Sequence, residues 1–426
     1  MNKLRLSALA TLWMALGAII PCTIVTHAQN LPTTVKTGLQ DKFHVQGIAY
    51  DHERNCMYMS FTTSLVKVDM QGRVLGSVEG LTGHLGCISL NPDDGRLYGS
   101  LEYKHDAIGK GIMKGLGGVE NDDRTGFYVA IFDVSRINRE HMSAAEVMTS
   151  VYLHPAVRDY EAKVTNLGRT VEHRFGCSGV DGLTLAPRWG KKGGRNMLYV
   201  AYGIYSENDR TDNDYQVLLC YDVKKLKKYE QPLSAQNLHQ SGPQNPAYTY
   251  YIYTGNTSWG VQNLCYDSHT GNMLAAVYTG MKPDWKNFGL FVVDGQQKPV
   301  KEVLRGVEPK TSGLVMPLLQ QGEQDTKHGT WGWNFKWGNT GLTSLGDGRF
   351  YVSMGGRDKA TGRQYCEAKL FRWEDHKGLV PIGQERSSFG RFTGWKSWVR
   401  GFPKADCRRG FAWVAGWEAE VKGFME

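Results

Sequence analysis

Short catalytic signatures are missing from this chain. It has no CxxC pair, no HExxH helix, no GxSxG elbow and no sialidase-type Asp box. Zinc ribbons, thioredoxin-like redox centres, zinc-helix proteases and α/β-hydrolases are thereby set aside. The glycine-rich stretch Gly109–Gly118 lacks the lysine–serine ending that closes around phosphates, so nucleotide binding has no support. Outside the Trp-rich, basic tail 385–426, no basic run is interleaved with aromatics, which argues against a nucleic-acid partner. After residue 28 no apolar stretch is long enough to span a bilayer, which argues against membrane insertion. Cysteine is scarce, with eight in 426 residues, and Cys87, Cys220 and Cys265 sit in apolar strand patterns where cysteine packs as a small core residue. Beyond residue 28 the count is odd, which leaves room for one or two disulfides but not for a full framework.

What is present begins with an export signal. Lys3 and Arg5 precede a largely apolar stretch from Leu6 to Val25, and Thr26-His27-Ala28 offers the small residues that signal peptidase prefers. Residues 1–28 therefore read as a signal peptide of a periplasmic or secreted protein. Its removal lowers the formal net charge from +8 to +6, because Lys3 and Arg5 are its only charged residues. That excess is spread along the chain and is compatible with an anionic substrate.

Glycine is abundant, 51 residues, and a motif recurs among the turns it makes. The copies are VQGIAYDHERNCMYMSF from Val45, LGCISLNPDDGRLYGSL from Leu85, VDGLTLAPRWGKKGGRNMLYVAY from Val180, VQNLCYDSHTGNMLAAVY from Val261 and NTGLTSLGDGRFYVSM from Asn339. Each is two short strands around a hairpin turn. A third β-run follows every copy: SLVKVDM, FYVAIFDV, YQVLLCYDV, FGLFVVDG and AKLFRW. A fourth follows several, such as RVLGSVEG, EVMTSVYL and KEVLRG. Antiparallel strands in fours, in fixed order with variable loops, predict an all-β β-propeller of five blades over residues 29–384. Residues 385–426 break the pattern, and Phe411-Ala412-Trp413-Val414 is their one candidate for a closing strand.

In a propeller, the start of each inner strand and the end of the next meet on one face, over the central channel. Ligand-binding side chains are expected there: Gln46, Tyr202, Asp212, Asp214, Gln262, Asn263, Lys282, Trp285, Thr340 and Arg357 as substrate-binding groups. Candidates for proton transfer are His84, His105, Glu102, Asp181, Tyr205 and Arg210. The carboxylates suit the acid and base of a glycosidase. No cofactor is required by this reading, although Asp181 and Asn263 offer oxygen ligands to a calcium ion at the channel mouth.

Gly83-His84, with His105 about twenty residues on, resembles a blade of the secreted propeller polysaccharide lyases, including ulvan and rhamnose–glucuronate lyases. The resemblance implies a His or Tyr base, with Arg210 neutralising a uronic-acid carboxylate. The expectation is a monomeric, exported enzyme cleaving glycosidic bonds in an acidic or plant-type polysaccharide. The alternatives are a non-catalytic glycan-binding propeller and a calcium-dependent lactonase or esterase.

Overall fold

Alternating Val, Tyr, Met and Leu in the repeats build strands that bury both faces, because each sheet is packed between two neighbours. The computed structural model describes residues 31–383 except 41, 119–123, 192 and 235. The expected signal peptide at 1–28, Cys407 and the candidate closing strand at 411–414 lie outside the described residues.

Blade one is Val45–Asp51, Cys56–Phe61, Ser64–Asp69 and Val74–Glu79, from the channel outward. Blade two is His84–Asn91, Arg96–Tyr103, Gly126–Phe132 and Met148–Tyr152, and blade three is Cys177–Pro187, Asn196–Ile204, Tyr215–Asp222 and Tyr248–Tyr253. Blade four has Ser258–Tyr266, Met273–Tyr278 and Leu290–Val293, and blade five has Leu342–Ser344, Arg349–Arg357 and Gln364–Glu374. The inner strands neighbour one another in that order, and Leu342–Ser344 lies beside Val45–Asp51, closing a five-bladed β-propeller. Hydrogen bonds stitch the ring across blades. Ser60 Oγ donates to the Gly86 carbonyl at 2.7 Å, Tyr266 N to Thr184 Oγ1 at 3.0 Å, and Asn263 Nδ2 to the Gln46 and Asn339 carbonyls at 2.9 and 3.2 Å. Apolar clusters fill the gaps between successive blades.

Two outer edges differ from the sequence reading. The run at Val300–Val303, expected as the fourth strand of blade four, forms a hairpin with Ser312–Val315, and that strand pairs parallel to Tyr248–Tyr253 of blade three. Blade four is flanked instead by a loop in which Leu319 N bonds the Val292 carbonyl at 2.7 Å. The strand Thr34–Lys36 closes blade five by pairing antiparallel with Gln364–Glu374, Thr34 opposite Lys369, and Gly378–Pro381 extends the same edge. The six described cysteines are free and buried, at least one in each blade, so no disulfide joins them. Among the described residues no helix is long and apolar enough to cross a membrane.

Candidate functional site

The inner strands of blades one to four break register at the same place. Partners jump from Val45–Phe61 to Gly47–Ser60, from Leu85–Leu101 to Ile88–Gly99, from Val180–Tyr202 to Leu183–Val200, and from Val261–Val277 to Asn263–Ala276. Such a bulge re-aims the residues it leaves unpaired. Those residues include Gln46, Gly86, Asp181 and Gln262. Gln262 reaches from blade four to blade three, its Nε2 donating to Asp181 Oδ2 at 3.2 Å. Gly86, at the same step of blade two, keeps the space beside Asp181 open: a Cβ there would meet Ser100 Oγ at 2.5 Å and stand 3.5 Å from Asp181 Oδ1.

His84 and Glu102 face each other across the first hairpin of blade two, with His84 Nδ1 3.4 Å from Glu102 Oε2. The same oxygen is 2.9 Å from Lys104 Nζ, and Lys104 also donates to the Ser178 carbonyl at 2.9 Å. The other Glu102 oxygen accepts the Val180 N–H at 2.6 Å. That approach depends on Gly179, whose φ is +130° and whose added Cβ would fall 1.8 Å from Glu102 Oε1. His84, Glu102 and Asp181 thus converge from two blades, with one donor atom of each within 4.8 Å of the others.

Charge separates the two carboxyls. Burial alone would raise Glu102, but the Lys104 ammonium and His84 outweigh it and hold the group below its ordinary range. Burial, reinforced by the Glu102 charge, pushes Asp181 up to about 7 against the opposing pull of His84, Lys104 and the Gln262 amide. Burial also opposes the Lys104 charge, yet Glu102, Asp106 and Asp181 together raise its pKa. His44, on the approach to blade one, is lowered to about 4 by burial and by the nearby His84.

The cluster fits a divalent cation. Two ligands on opposite sides of an ion with bonds of about 2.4 Å would stand about 4.8 Å apart, so three donors inside that separation can share one centre. Glu102 Oε2 and His84 Nδ1 are buried and have no aligned hydrogen-bond partner, despite their charged neighbours. One imidazole nitrogen and two carboxylates suit manganese or zinc, whereas calcium would draw on the two carboxylates alone. Asn263, expected as a second ligand, donates its Nδ2 to the Gln46 and Asn339 carbonyls at 2.9 and 3.2 Å, while its Oδ1 is buried without a hydrogen-bond partner.

A cavity of about 160 Å³ adjoins the cluster. Its lining includes His84, Glu102 and His105 from blade two, and Ile108, Ile112 and Met113 from the helix Ala107–Gly115. His84 and His105 therefore do share one pocket, with His105 exposed at its rim.

Other expected groups are engaged elsewhere. Arg210 is 1% exposed; it grips Asp212 through Nε at 2.7 Å and Nη2 at 2.9 Å, and its guanidinium also donates to the Glu172 and His173 carbonyls at 2.9 and 2.8 Å. It fastens its own loop rather than facing a substrate carboxylate. Asp214 pairs with the buried Lys282, which also donates to Asn213 Oδ1 at 3.2 Å. Tyr202 is buried and donates to Asp159 Oδ2 at 2.9 Å, and Tyr205 donates to Asp106 Oδ2 at 3.1 Å. Trp285 stacks on His328 with centroids 3.8 Å apart and planes 7° off parallel. Arg357 Nε bonds the Gly362 carbonyl of its own hairpin at 3.0 Å, Thr340 shares a bond with Ser353 Oγ at 2.9 Å, and Gln46 donates to Thr62 Oγ1 at 3.1 Å. Lys104 and Asp106 belong to the rim segment 102–106 that the sequence places at a strand end, but neither is assigned a role from sequence. Their spacing of two and four from Glu102 is the signal, since alternate residues share one face of an extended chain.

No family model matches the chain, and no curated protein does. Solved structures similar to it include the PQQ domain of pyranose dehydrogenase from Coprinopsis cinerea in its holo form, 12% identical, covering 78% of this chain and 83% of that one with a TM-score of 0.33. Another is a gluconolactonase from Xanthomonas campestris, 10% identical, covering 78% and 88% with a TM-score of 0.30. At these levels neither likeness assigns an activity.

Proposed function

We propose that the protein is a cation-dependent hydrolase of a small ester or lactone, working at the axial mouth. The observation that carries this reading is the convergence of His84, Glu102 and Asp181 beside a cavity of about 160 Å³. A cavity of about 150 Å³ accommodates a benzene-sized ring, so the space favours one small ring over a polysaccharide strand. His84, Glu102 and Asp181 would hold the cation, which supplies Lewis-acid polarisation of a carbonyl and acidifies bound water. Lys104 and the Val180 N–H keep Glu102 ionised and fixed in direction. Gln262 orients Asp181, leaving Oδ1 toward the space beside Gly86. His105, at the rim, offers an imidazole to pass protons to solvent. The leader-like residues 1–28 support an exported site of action.

The test is a panel of simple lactones and aryl esters, assayed after chelation and after return of calcium, manganese or zinc. Turnover should vanish with EDTA, return with one of the three ions, and fall at least a hundredfold in Asp181→Asn with the fold intact by circular dichroism. Hydrolysis indifferent to EDTA overturns the cation's role, and no turnover with any ion overturns the hydrolase reading. The split ionisation of Glu102 and Asp181 supports a second reading, acid–base cleavage of a short glycoside. EDTA-resistant release of an aryl aglycone would identify it.

A further inference from the structure

The helix Ala107–Gly115 stands in the loop between the second and third strands of blade two, and nothing in the hydrolytic chemistry above requires it. Asp106 caps it, accepting the Gly109 N–H at 3.0 Å, while its other oxygen accepts the Tyr205 hydroxyl at 3.1 Å from blade three. One aspartate therefore fastens the helix start to two blades. The helix is also seated closely. A Cβ on Gly109 would fall 1.6 Å from the Lys104 carbonyl oxygen, and one on Gly115 would fall 2.7 Å from the Phe43 ring.

Seated in this way, the helix gives the pocket an apolar wall. Ile108 and Ile112 are four residues apart and share a face, and Met113 lies beside them along the pocket. Lys110 and Lys114 are exposed. The cavity thus pairs a polar floor of His84, Glu102 and Lys104 with a largely aliphatic side formed by one short helix, which also brings Lys110 to the lining.

We propose that this wall selects lactones or esters carrying an unbranched aliphatic substituent, whose chain lies along Ile108 and Met113 while the ester faces the His84–Glu102–Asp181 cluster. The proposal rests on the hydrolase reading and names its substrate class. Burying one methylene is worth about fourfold in affinity or kcat/KM, and a cavity of about 160 Å³, close to the space one benzene-sized ring fills, has room for roughly four chain carbons when the lactone ring sits outside it against the cluster.

Two series decide it: γ-lactones with zero to eight side-chain carbons for turnover, and the matching alkyl lactams, which resist hydrolysis, for binding by calorimetry with manganese or calcium present. In the wild-type protein both kcat/KM and lactam affinity should climb about fourfold per carbon over the first four carbons and then level off. Ile108→Ala and Met113→Ala should each flatten that slope at least twofold, and Ile108→Trp should end the climb at one or two carbons. Lactones hydrolysed with no dependence on chain length overturn the aliphatic wall and leave the hydrolase reading standing. Lactams that bind with the expected slope while no lactone turns over overturn the hydrolase reading and leave the wall. Slopes unchanged in all three variants overturn the wall.

Discussion

Asp181 is a residue whose protonation its surroundings shift strongly. Its folded pKa of about 7 lies well above the ordinary carboxyl value of 3.8. Between those values the folded state keeps a proton that the unfolded chain has released, so stability falls as pH rises through this window and is level above it. In cation-free protein, Asp181→Asn should therefore leave the melting temperature nearly unchanged at pH 4 and raise it by several degrees at pH 8. Melts across that range check it, and equal shifts at both ends would place the carboxyl near its ordinary value. At this scale the sequence was partly legible. His84, Glu102 and Asp181 were readable as rim positions because each lies where a copy of the repeated motif starts or stops in the sequence, although Asp181 sits inside the longer strand Cys177–Pro187. Arg210 holds Asp212, two residues away and visible in the sequence, together with the Glu172 and His173 carbonyls of a separate loop whose approach no local pattern records.

Among the elements, inner hairpins were the easiest to see and outer edges the hardest. The inner strands repeat Gly and Val or Leu at fixed positions because five of them crowd one axis. Outer strands meet fewer neighbours, so their patterns drift. Tyr248–Tyr253, the fourth strand of blade three, is not among the fourth runs named from the sequence, and Val300–Val303, exposed throughout, paired with a blade other than its own. The closing strand Thr34–Lys36 is three residues long and carries almost no periodicity. Its removal should expose the edge of blade five. A chain beginning at residue 38 should melt at least 5 °C lower and aggregate more readily than one beginning at residue 29, as read by calorimetry and light scattering. Equal stability would mean that Gly378–Pro381 seals that edge alone.

The whole molecule carries its own reporters, because buried free thiols mark every blade: Cys56, Cys87, Cys177, Cys220, Cys265 and Cys366. Burial raises these thiols, Cys87 to about 11 and Cys220 to about 12, so alkylation requires the blade to open. Cys366 lies directly under the closing segment, its N–H bonding Thr37 Oγ1 at 3.0 Å and its carbonyl accepting the Thr37 N–H at 3.1 Å. In mild denaturant, mass spectrometry of alkylated peptides should find Cys366 modified first and Cys87 and Cys177 last. Simultaneous labelling would mean that the ring opens as one unit.

That same latch sets an order on biosynthesis. A ribosome releases Thr34 early and its partner Lys369 only after every blade has been made. Until then the nascent protein is an open arc with two bare ends, and products truncated before that point can never lock. Premature termination should therefore leave fragments that proteases clear quickly, whichever blade they stop in.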